Sequence, residues 1–375
     1  MSRLLFSPIR VGTLTLPSRI AMAPLTRNRA PGAVPNALMA EYYAQRADPA
    51  RGAALIISEG TAISPQGQGY ADVPGLYDST QLDGWKQVTR AVHAAGGRMF
   101  CQLWHVGRVS HHLLQPGNAD PVAPSAIRAN TRTYLVDGEG QGGFTPTSEP
   151  RALQRDEIPA IVHDFAVAAR SAVESAGFDG VEVHGANGYL PDQFLKSGAN
   201  QRSDDYGGSI ANRARFMLEV VRAVVDAVGG ARTGLRISPV TPANDIHDAD
   251  PQPLFEYLMR ELAPLGLAYI HVIEGATGGP REVEGRPFDY AAMKTAYREA
   301  GGQGAWIVNN GYDGALAHEA VESGRADLVA FGKPFIANPD LAARLRRGAA
   351  LAVPERATMY GGGAHGYIDY PALDD

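Results

Sequence analysis

The chain alternates short apolar runs with longer segments in which apolar residues recur every three or four positions. Most of the short runs are continuous and show no polar alternation, which is typical of strands buried on both faces of a parallel sheet. Eight such strands with helices between them predict an α/β fold, the (β/α)8 TIM barrel. The predicted strands are residues 20–25, 54–60, 98–104, 180–184, 233–238, 268–274, 305–310 and 328–332.

The segments between the strands have the periodicity of amphipathic helices. In residues 156–176, for example, Ile158, Ile161 and Phe165 share one face and Gly177 ends the pattern. Such a face is expected to cover the outside of a barrel. The predicted helices are residues 37–47, 81–95, 155–176, 209–228, 254–265, 290–300, 314–323 and 339–347.

Two segments depart from this rhythm. Residues 9–17 predict a hairpin that turns at Gly12 and forms a lid over the barrel floor. Residues 106–151 are rich in Gly, Pro and Ser and form an insertion after strand three, with a strand pair near 132–136 and 143–145. Because loops after barrel strands carry the active site, we expect this insertion to form a capping subdomain over the site. We predict one domain spanning residues 1–375.

Composition and charge narrow the class of protein. The chain has 34 basic and 40 acidic residues and a net charge of −6, without the basic stripe that tracks nucleic acid. Cys101 is the single cysteine, so neither a disulfide framework nor a four-cysteine iron–sulfur cluster can form. No run approaches the roughly 18 apolar residues of a membrane helix, and the first residues do not suit a signal peptide. We expect a soluble cytoplasmic protein, without a nucleic-acid or membrane partner.

The carboxyl ends of the predicted strands are polar. In a parallel barrel these ends converge at one mouth, and an unpaired buried donor there costs about 1–3 kcal/mol, so a shared ligand is indicated. Directly after strand four, His184, Asn187 and Tyr189 offer an imidazole, an amide and a phenol. Such groups can polarise an oxygen and protonate a neighbouring carbon, although each alone also suits a packing role. The polar ends are Thr26, Glu59, Gln102, Trp104, His184, Asn187, Arg236, Asn309, Asn310 and Lys333.

The last two strand ends suggest a phosphate site. Asn310-Gly311 and Gly332-Lys333 offer glycine N–H groups and a cation where phosphates commonly bind in this fold. A helix beginning at Asn338 or Pro339 is expected to assist. The alternative is a pair of ordinary turn glycines.

Several long motifs resemble the Old Yellow Enzyme family of FMN-dependent ene-reductases, especially bacterial members that reduce nitrate esters, N-ethylmaleimide and enones. The resemblance extends over essentially the whole chain. The motifs are APLTR from Ala23, QLWHVGR from Gln102, HGANGYLPDQFL from His184, NQRSDDYGGSIANRARF from Asn200, NNGYD from Asn309, GKPFIANPDL from Gly332 and YGGGAHGYIDYP from Tyr360.

The resemblance implies tightly but non-covalently bound FMN. Thr26 would bind flavin O4 and tune its potential, Gln102 would hold the pyrimidine edge, and Arg236 would lie near N1 and O2. Lys333 and its glycine neighbour would take the phosphate, although the family has arginine at this position, which exchanges a bidentate fork for a point charge. The implied cofactor residues are Pro24, Leu25, Thr26, Gly60, Gln102, Arg236, Asn310, Gly311, Gly332 and Lys333.

The resemblance also implies an activity. NADPH or NADH would reduce the flavin, and an electron-poor C=C bond (enone, enal, maleimide or nitroalkene, with nitrate esters as a further class) would reoxidise it in a ping-pong cycle. Hydride from flavin N5 would reach the β-carbon while Tyr189 protonates the α-carbon, and His184 and Asn187 would bind the activating oxygen. Tyr70, Trp104 and Tyr360 would shape the substrate cavity.

Two other functions stay open from the residues alone. One is a flavin-binding redox sensor without turnover. The other is a metal-dependent TIM-barrel hydrolase, which would need an HxH pair at strand one, where the chain has Pro24-Leu25-Thr26. We predict no metal site, because His105, His111 and His112 lack suitable spacing and Arg202 favours a salt bridge for the Asp204-Asp205 pair. Either a monomer or a homodimer is compatible with the sequence.

Overall fold

A computed structural model describes residues 4–374. Its strands and helices alternate along most of the chain. The strands are β1 (Ile9–Val11), β2 (Leu14–Leu16), β3 (Ile20–Met22), β4 (Leu55–Ala62), β5 (Met99–Trp104), β6 (Val122–Ala123), β7 (Arg132–Val136), β8 (Gly142–Pro146), β9 (Arg151–Ala152), β10 (Gly180–Gly185), β11 (Thr233–Ile237), β12 (Tyr269–Ile273), β13 (Ala305–Asn309) and β14 (Leu328–Phe331). The helices are α1 (Ala37–Gln45), α2 (Ser79–Ala94), α3 (Ile158–Arg170), α4 (Leu190–Leu195), α5 (Ile210–Val228), α6 (Pro251–Leu262), α7 (Tyr290–Glu299), α8 (Gly314–Glu322), α9 (Lys333–Ala337) and α10 (Leu341–Arg347).

The predicted TIM barrel is confirmed. Strands β3, β4, β5 and β10 to β14 pair in parallel and close into a barrel in chain order. Every residue of these eight strands is buried, which explains their continuous apolar sequence. The barrel therefore brings eight strand ends to one mouth, as the sequence predicted.

Two short helices escaped the sequence analysis. Both α4 and α9 have proline in the first turn, and all six residues of α4 are buried, so no polar face marks its period. The helix predicted from Asn338 or Pro339 forms as α10, which begins at Leu341, and its part in a phosphate site stays a prediction. The additional helix α9 begins at Lys333, and buried Asn338 follows its end, donating its side-chain amide to Pro334 O and Ala352 O.

The N-terminal hairpin forms as predicted. Strands β1 and β2 pair antiparallel, and Val11 and Leu16 pack with Leu55 and Leu328 at the barrel floor. Gly12 has φ +55°, and a Cβ there would lie 1.9 Å from Ala231 O. Only glycine therefore allows this close approach.

The insertion after the third barrel strand contains an antiparallel hairpin of β7 and β8. Buried Thr133 donates its hydroxyl to Gly69 O, which ties the hairpin to the loop after β4. Tyr134 and Phe144 of the hairpin line a cavity at the barrel mouth. The division into one domain with a capping subdomain stays a prediction. Within residues 4–374, no helix combines the length and apolar character needed to cross a membrane.

Candidate active site

Two adjoining cavities open at the carboxyl ends of the barrel strands. Their volumes are about 550 Å³ and about 370 Å³. The larger contains most of the predicted cofactor residues, and the smaller contains Thr26, Tyr70 and Tyr189. Both are lined by Pro24, Leu25, Thr277, Ile336, Met359 and Tyr360, so they form two lobes of one site.

Arg236 lies on β11 in the larger lobe, opposite His184 on β10 and His271 on β12. Its side chain is buried, and Nη2 donates to Asn309 Oδ1 over 2.8 Å. Its Nε has no partner in the part of the chain that the structure describes. Burial lowers the pKa of Arg236 from its ordinary value. A buried guanidinium with an unused donor is suited to a ligand that carries an acceptor or a negative charge.

The predicted phosphate residues lie in the same lobe. Asn310 and Gly311 both have positive φ, +91° and +68°, which bends the chain sharply after β13. The Asn310 side-chain amide is used within the protein, donating to Glu274 O and Ala276 O. Lys333 opens α9 at the exposed rim, and its ammonium group has no acceptor among residues 4–374. The cation is thus free for an anionic ligand.

The smaller lobe adjoins an aromatic cluster. The hydroxyls of Tyr70 and Tyr189 lie 3.1 Å apart, and Tyr70 stacks on Trp104 with ring centroids 5.5 Å apart. The Tyr189 ring is steeply inclined to the rings of Trp104 and His184, with centroid distances of 4.9 and 5.0 Å. Gly60 is required beneath the indole, because a Cβ there would lie 2.5 Å from Trp104. Two of the three groups singled out after strand four, His184 and Tyr189, are therefore in contact here.

His184 is buried, and its Nδ1 has no partner in the described residues. Burial, with smaller contributions from Arg236 and His271, holds its pKa well below the usual value of 6.5. The imidazole is therefore neutral at physiological pH. A neutral ring still carries one N–H donor for a ligand.

Asn187 is positioned by backbone and side-chain contacts together. Its φ is +59°, and its N–H donates to Ser238 Oγ over 2.8 Å. Thr277 donates its hydroxyl to Asn187 Oδ1 over 2.6 Å. The Nδ2 group donates to no acceptor in the described part of the chain, so its hydrogens remain for a ligand.

Tyr189 follows a tight turn that its own helix secures. Gly188, at φ +74°, donates its N–H to Asp192 Oδ2, and Gln193 donates its amide to Gly188 O. Burial raises the pKa of Tyr189 above its ordinary value, so the phenol keeps its proton at neutral pH. It is in the form required of a proton donor.

Five predicted site residues line neither lobe directly: Gly60, Gln102, Trp104, His184 and Asn187. Gln102 is buried, and its amide Nε2 donates to Glu182 Oε1 over 2.7 Å. Glu59 is turned away from the mouth: it accepts from Tyr43 and from the backbone N–H of Arg27, and burial raises its pKa to about 7. Its need for partners is therefore met by protein groups and not by a ligand, and the pairing of its strand with β5 shifts register between Ile57 and Gly60.

Sequence reasoning missed several lining residues. Thr277 contributes to both lobes and bonds to Asn187, but it lies in a glycine-rich loop where no pattern marks it. Met359 directly precedes the motif at Tyr360, and that adjacency was the available signal. Tyr134 and Phe144 of the β7–β8 hairpin also line the smaller lobe, and the available signal was their position in the insertion predicted to cap the site.

The acidic pair expected to be structural is engaged by arginines. Arg202 bonds to Asp204 and Arg155 to Asp205, over 2.5 and 2.6 Å. Residues 4–374 contain no group of three or more His, Cys, Asp or Glu side chains arranged to hold a metal ion.

Comparison with known proteins identifies the family. The model of the NADH:flavin oxidoreductase / NADH oxidase family matches residues 4–352. The chain is 45% identical to 12-oxophytodienoate reductase 7 of Oryza sativa subsp. japonica, covering 98% of this chain and 94% of that protein. Among solved structures, morphinone reductase in complex with tetrahydroNAD is 49% identical with a TM-score of 0.91, covering 99% of this chain and 98% of that one. The Old Yellow Enzyme homologue of Zymomonas mobilis is 40% identical with the same TM-score, covering 98% and 99%.

These likenesses extend over nearly the whole chain and coincide with the barrel and the polar mouth described above. They also agree with the family resemblance drawn from the sequence motifs. The chain therefore belongs to the NADH:flavin oxidoreductase / NADH oxidase family, as an Old Yellow Enzyme type of oxidoreductase whose cofactor is FMN and whose reductant is a nicotinamide nucleotide.

Proposed function

We propose that the enzyme is an ene-reductase, which uses NADPH or NADH to reduce electron-poor C=C bonds in enones, enals, maleimides and nitroalkenes. The residues fit FMN. Lys333 offers a free cation at one end of the larger lobe, and Arg236 offers an unused buried donor deeper in it. In this proposal Asn310, Gly311 and Gly332 complete the phosphate site, while Pro24, Leu25, Thr26, Gly60 and Gln102 surround the ring.

Bound FMN supplies the hydride that the β-carbon of the alkene receives. His184 and Asn187 bind the carbonyl or nitro oxygen, and their hydrogen bonds strengthen as that oxygen becomes negative. Tyr189 gives its proton to the α-carbon. Tyr70, Trp104 and Tyr360 confine the alkene. The convergence of a neutral imidazole, a free amide donor and a protonated phenol carries this proposal.

An anaerobic spectroscopic titration tests the proposal. The FMN-loaded protein is bleached with NADPH or NADH, and 2-cyclohexen-1-one is then added. We expect the flavin absorption band at about 450 nm to return and cyclohexanone to form. Bleaching that only oxygen reverses would favour the redox-sensor alternative.

Ligand binding is expected to be nearly independent of pH. The pKa of His184 lies well below 6.5, and Asn187 does not titrate. The dissociation constant of 2-cyclohexen-1-one should therefore stay constant from about pH 6 to about pH 8, where an ordinary histidine would titrate. Perturbation of the oxidised flavin spectrum measures it. A one-proton change in affinity near pH 6.5 would show that His184 titrates in the holoenzyme.

Lys333 is expected to set the affinity for the FMN phosphate. Lys333→Ala should weaken FMN binding by about 10- to 100-fold, because a hydrogen bond to a charged group contributes about 1.5–3 kcal/mol. Lys333→Arg should bind a few-fold more tightly through its planar fork. Fluorescence titration of the apoprotein with FMN measures both affinities. Lys86→Ala, which removes an exposed charge on α2, serves as the surface-charge control. Equal affinity for all variants would place the phosphate elsewhere.

A further inference from the structure

A buried polar chain crosses the barrel interior, and two of its members, Glu182 and His271, have no role in the chemistry proposed above. Its centre is the carboxylate of Glu182 on β10. Gln102 on β5 donates to Glu182 Oε1 over 2.7 Å, and His271 on β12 lies with Nδ1 2.8 Å from Glu182 Oε2. The side chains of Glu182 and His271 are fully buried, and Gln102 is 1% exposed.

Glu182 lies one layer below the ligand lobes. His184 pairs with Arg236, and Glu182, two residues earlier on the same strand, pairs with Gly234. Alternate residues of a strand share a face, so Glu182 points to the same side as His184. The carboxylate therefore lies beneath the layer that contains Arg236.

The carboxylate has no contact ion pair to compensate its charge. Within residues 4–374 it forms no salt bridge with an arginine or lysine, and its polar neighbours are neutral: the Gln102 amide, the His271 imidazole and the phenol of Tyr269, whose pKa is raised well above its ordinary value by burial and by the carboxylate. Burial lowers the pKa of that imidazole, His271, so the ring is neutral at physiological pH. A buried charge in such surroundings costs several kcal/mol of stability. An apolar residue could fill the same space in the barrel interior without that cost. This cost points to a function for the charge.

Two consequences follow for the cofactor site. The bond to Glu182 fixes the Gln102 amide with Nε2 toward the carboxylate, which leaves Oε1 to accept from a ligand N–H such as the flavin imide. The negative charge of Glu182 also partly offsets the positive charge of Arg236, which lies in the layer above it. An anion in a poorly polarisable interior opposes the addition of further negative charge nearby.

We propose that Glu182 is a positioning residue of the flavin site, which orients the Gln102 amide and lowers the flavin reduction potential by offsetting Arg236. The inference rests on the proposed placement of FMN between Gln102 and Arg236. It goes beyond that placement because Glu182 need not touch the cofactor.

Two variants separate charge from orientation. Glu182→Gln keeps the size of the side chain and removes the charge, so the FMN midpoint potential should rise. Glu182→Asp keeps the charge, but its side chain is one methylene shorter, so the contact with the Gln102 amide is lost. Because Gln102 is then no longer oriented, FMN should bind about tenfold more weakly. Its midpoint potential should stay near that of the wild type. Spectroelectrochemistry measures the potential, and fluorescence titration measures FMN affinity.

Asp340→Asn serves as the matched control. Asp340 is also a buried acid, but its partner at 2.7 Å is Arg344 of the peripheral helix α10. Its replacement should lower the melting temperature and leave the potential unchanged.

Each outcome is decisive. An unchanged potential in Glu182→Gln, or an equal shift in Asp340→Asn, would overturn the inference. If Glu182→Gln does not fold, unaltered FMN affinity in Glu182→Asp overturns it, and weakened affinity at a preserved potential supports it. Failure of the wild-type protein to bind FMN would instead refute the placement of the cofactor.

Discussion

Replacing Tyr189 by phenylalanine is expected to slow reoxidation of the flavin by 2-cyclohexen-1-one by about 10²- to 10⁴-fold, the usual contribution of a positioned acid. Reduction by NADPH should change little, since that half-reaction needs no proton from the phenol. The ring contacts of Tyr189 with Trp104 and His184 do not use the hydroxyl, so the fold should be retained. Anaerobic stopped-flow measurement of each half-reaction separates the two effects.

Tyr70→Phe is the matched control. Its hydroxyl lies 3.1 Å from that of Tyr189, and it occupies the same lobe. Loss of this neighbour should have a much smaller effect on reoxidation than loss of Tyr189. The reverse ranking would assign the proton to Tyr70, and full activity in both variants would mean that water supplies it.

Arg236→Met is expected to yield a protein that is purified largely without FMN, with affinity lowered by about 100-fold. Arg236 is buried in the larger lobe and has one unused donor, so it offers the ligand a charge-assisted hydrogen bond worth about 1.5–3 kcal/mol. Its hydrogen-bond partner is the neutral Asn309, so the substitution breaks no contact ion pair. It does remove the cation that offsets the buried Glu182 carboxylate, so the melting temperature should also fall, and FMN affinity is compared on folded protein. The FMN-to-protein ratio after purification and the dissociation constant of added FMN measure the effect.

Arg344→Met provides the comparison for a buried arginine outside the site. Arg344 pairs with Asp340 on the outer surface of the barrel, so its loss should lower stability more than FMN content. If both variants lose FMN in proportion to their loss of stability, Arg236 has no special role in cofactor binding.

The sequence was most informative where fold and function depend on residues that are close together in the chain. The eight barrel strands are apolar because both of their faces are covered, so each was visible in its own residues. The cluster of His184, Asn187 and Tyr189 was visible because one strand end supplies all three. Helices α4 and α9 left no such trace, because burial and early prolines remove the amphipathic pattern.

Orientation and long-range contact were decided by the tertiary structure. Thr277 fixes Asn187 across 90 positions of the chain, and the Glu182 carboxylate joins Gln102 to His271 from three strands. Glu59 is bonded to Tyr43 and to the backbone of Arg27, two partners that no residue pattern indicates.

The sequence by itself thus determined the barrel, its strand order along the chain and the chemical groups at its mouth, because these follow from periodicity and residue type. The tertiary structure decided which atoms of those groups are already bonded and which remain for a ligand. That distinction depends on strand register and barrel closure, which join residues too far apart for local patterns to relate.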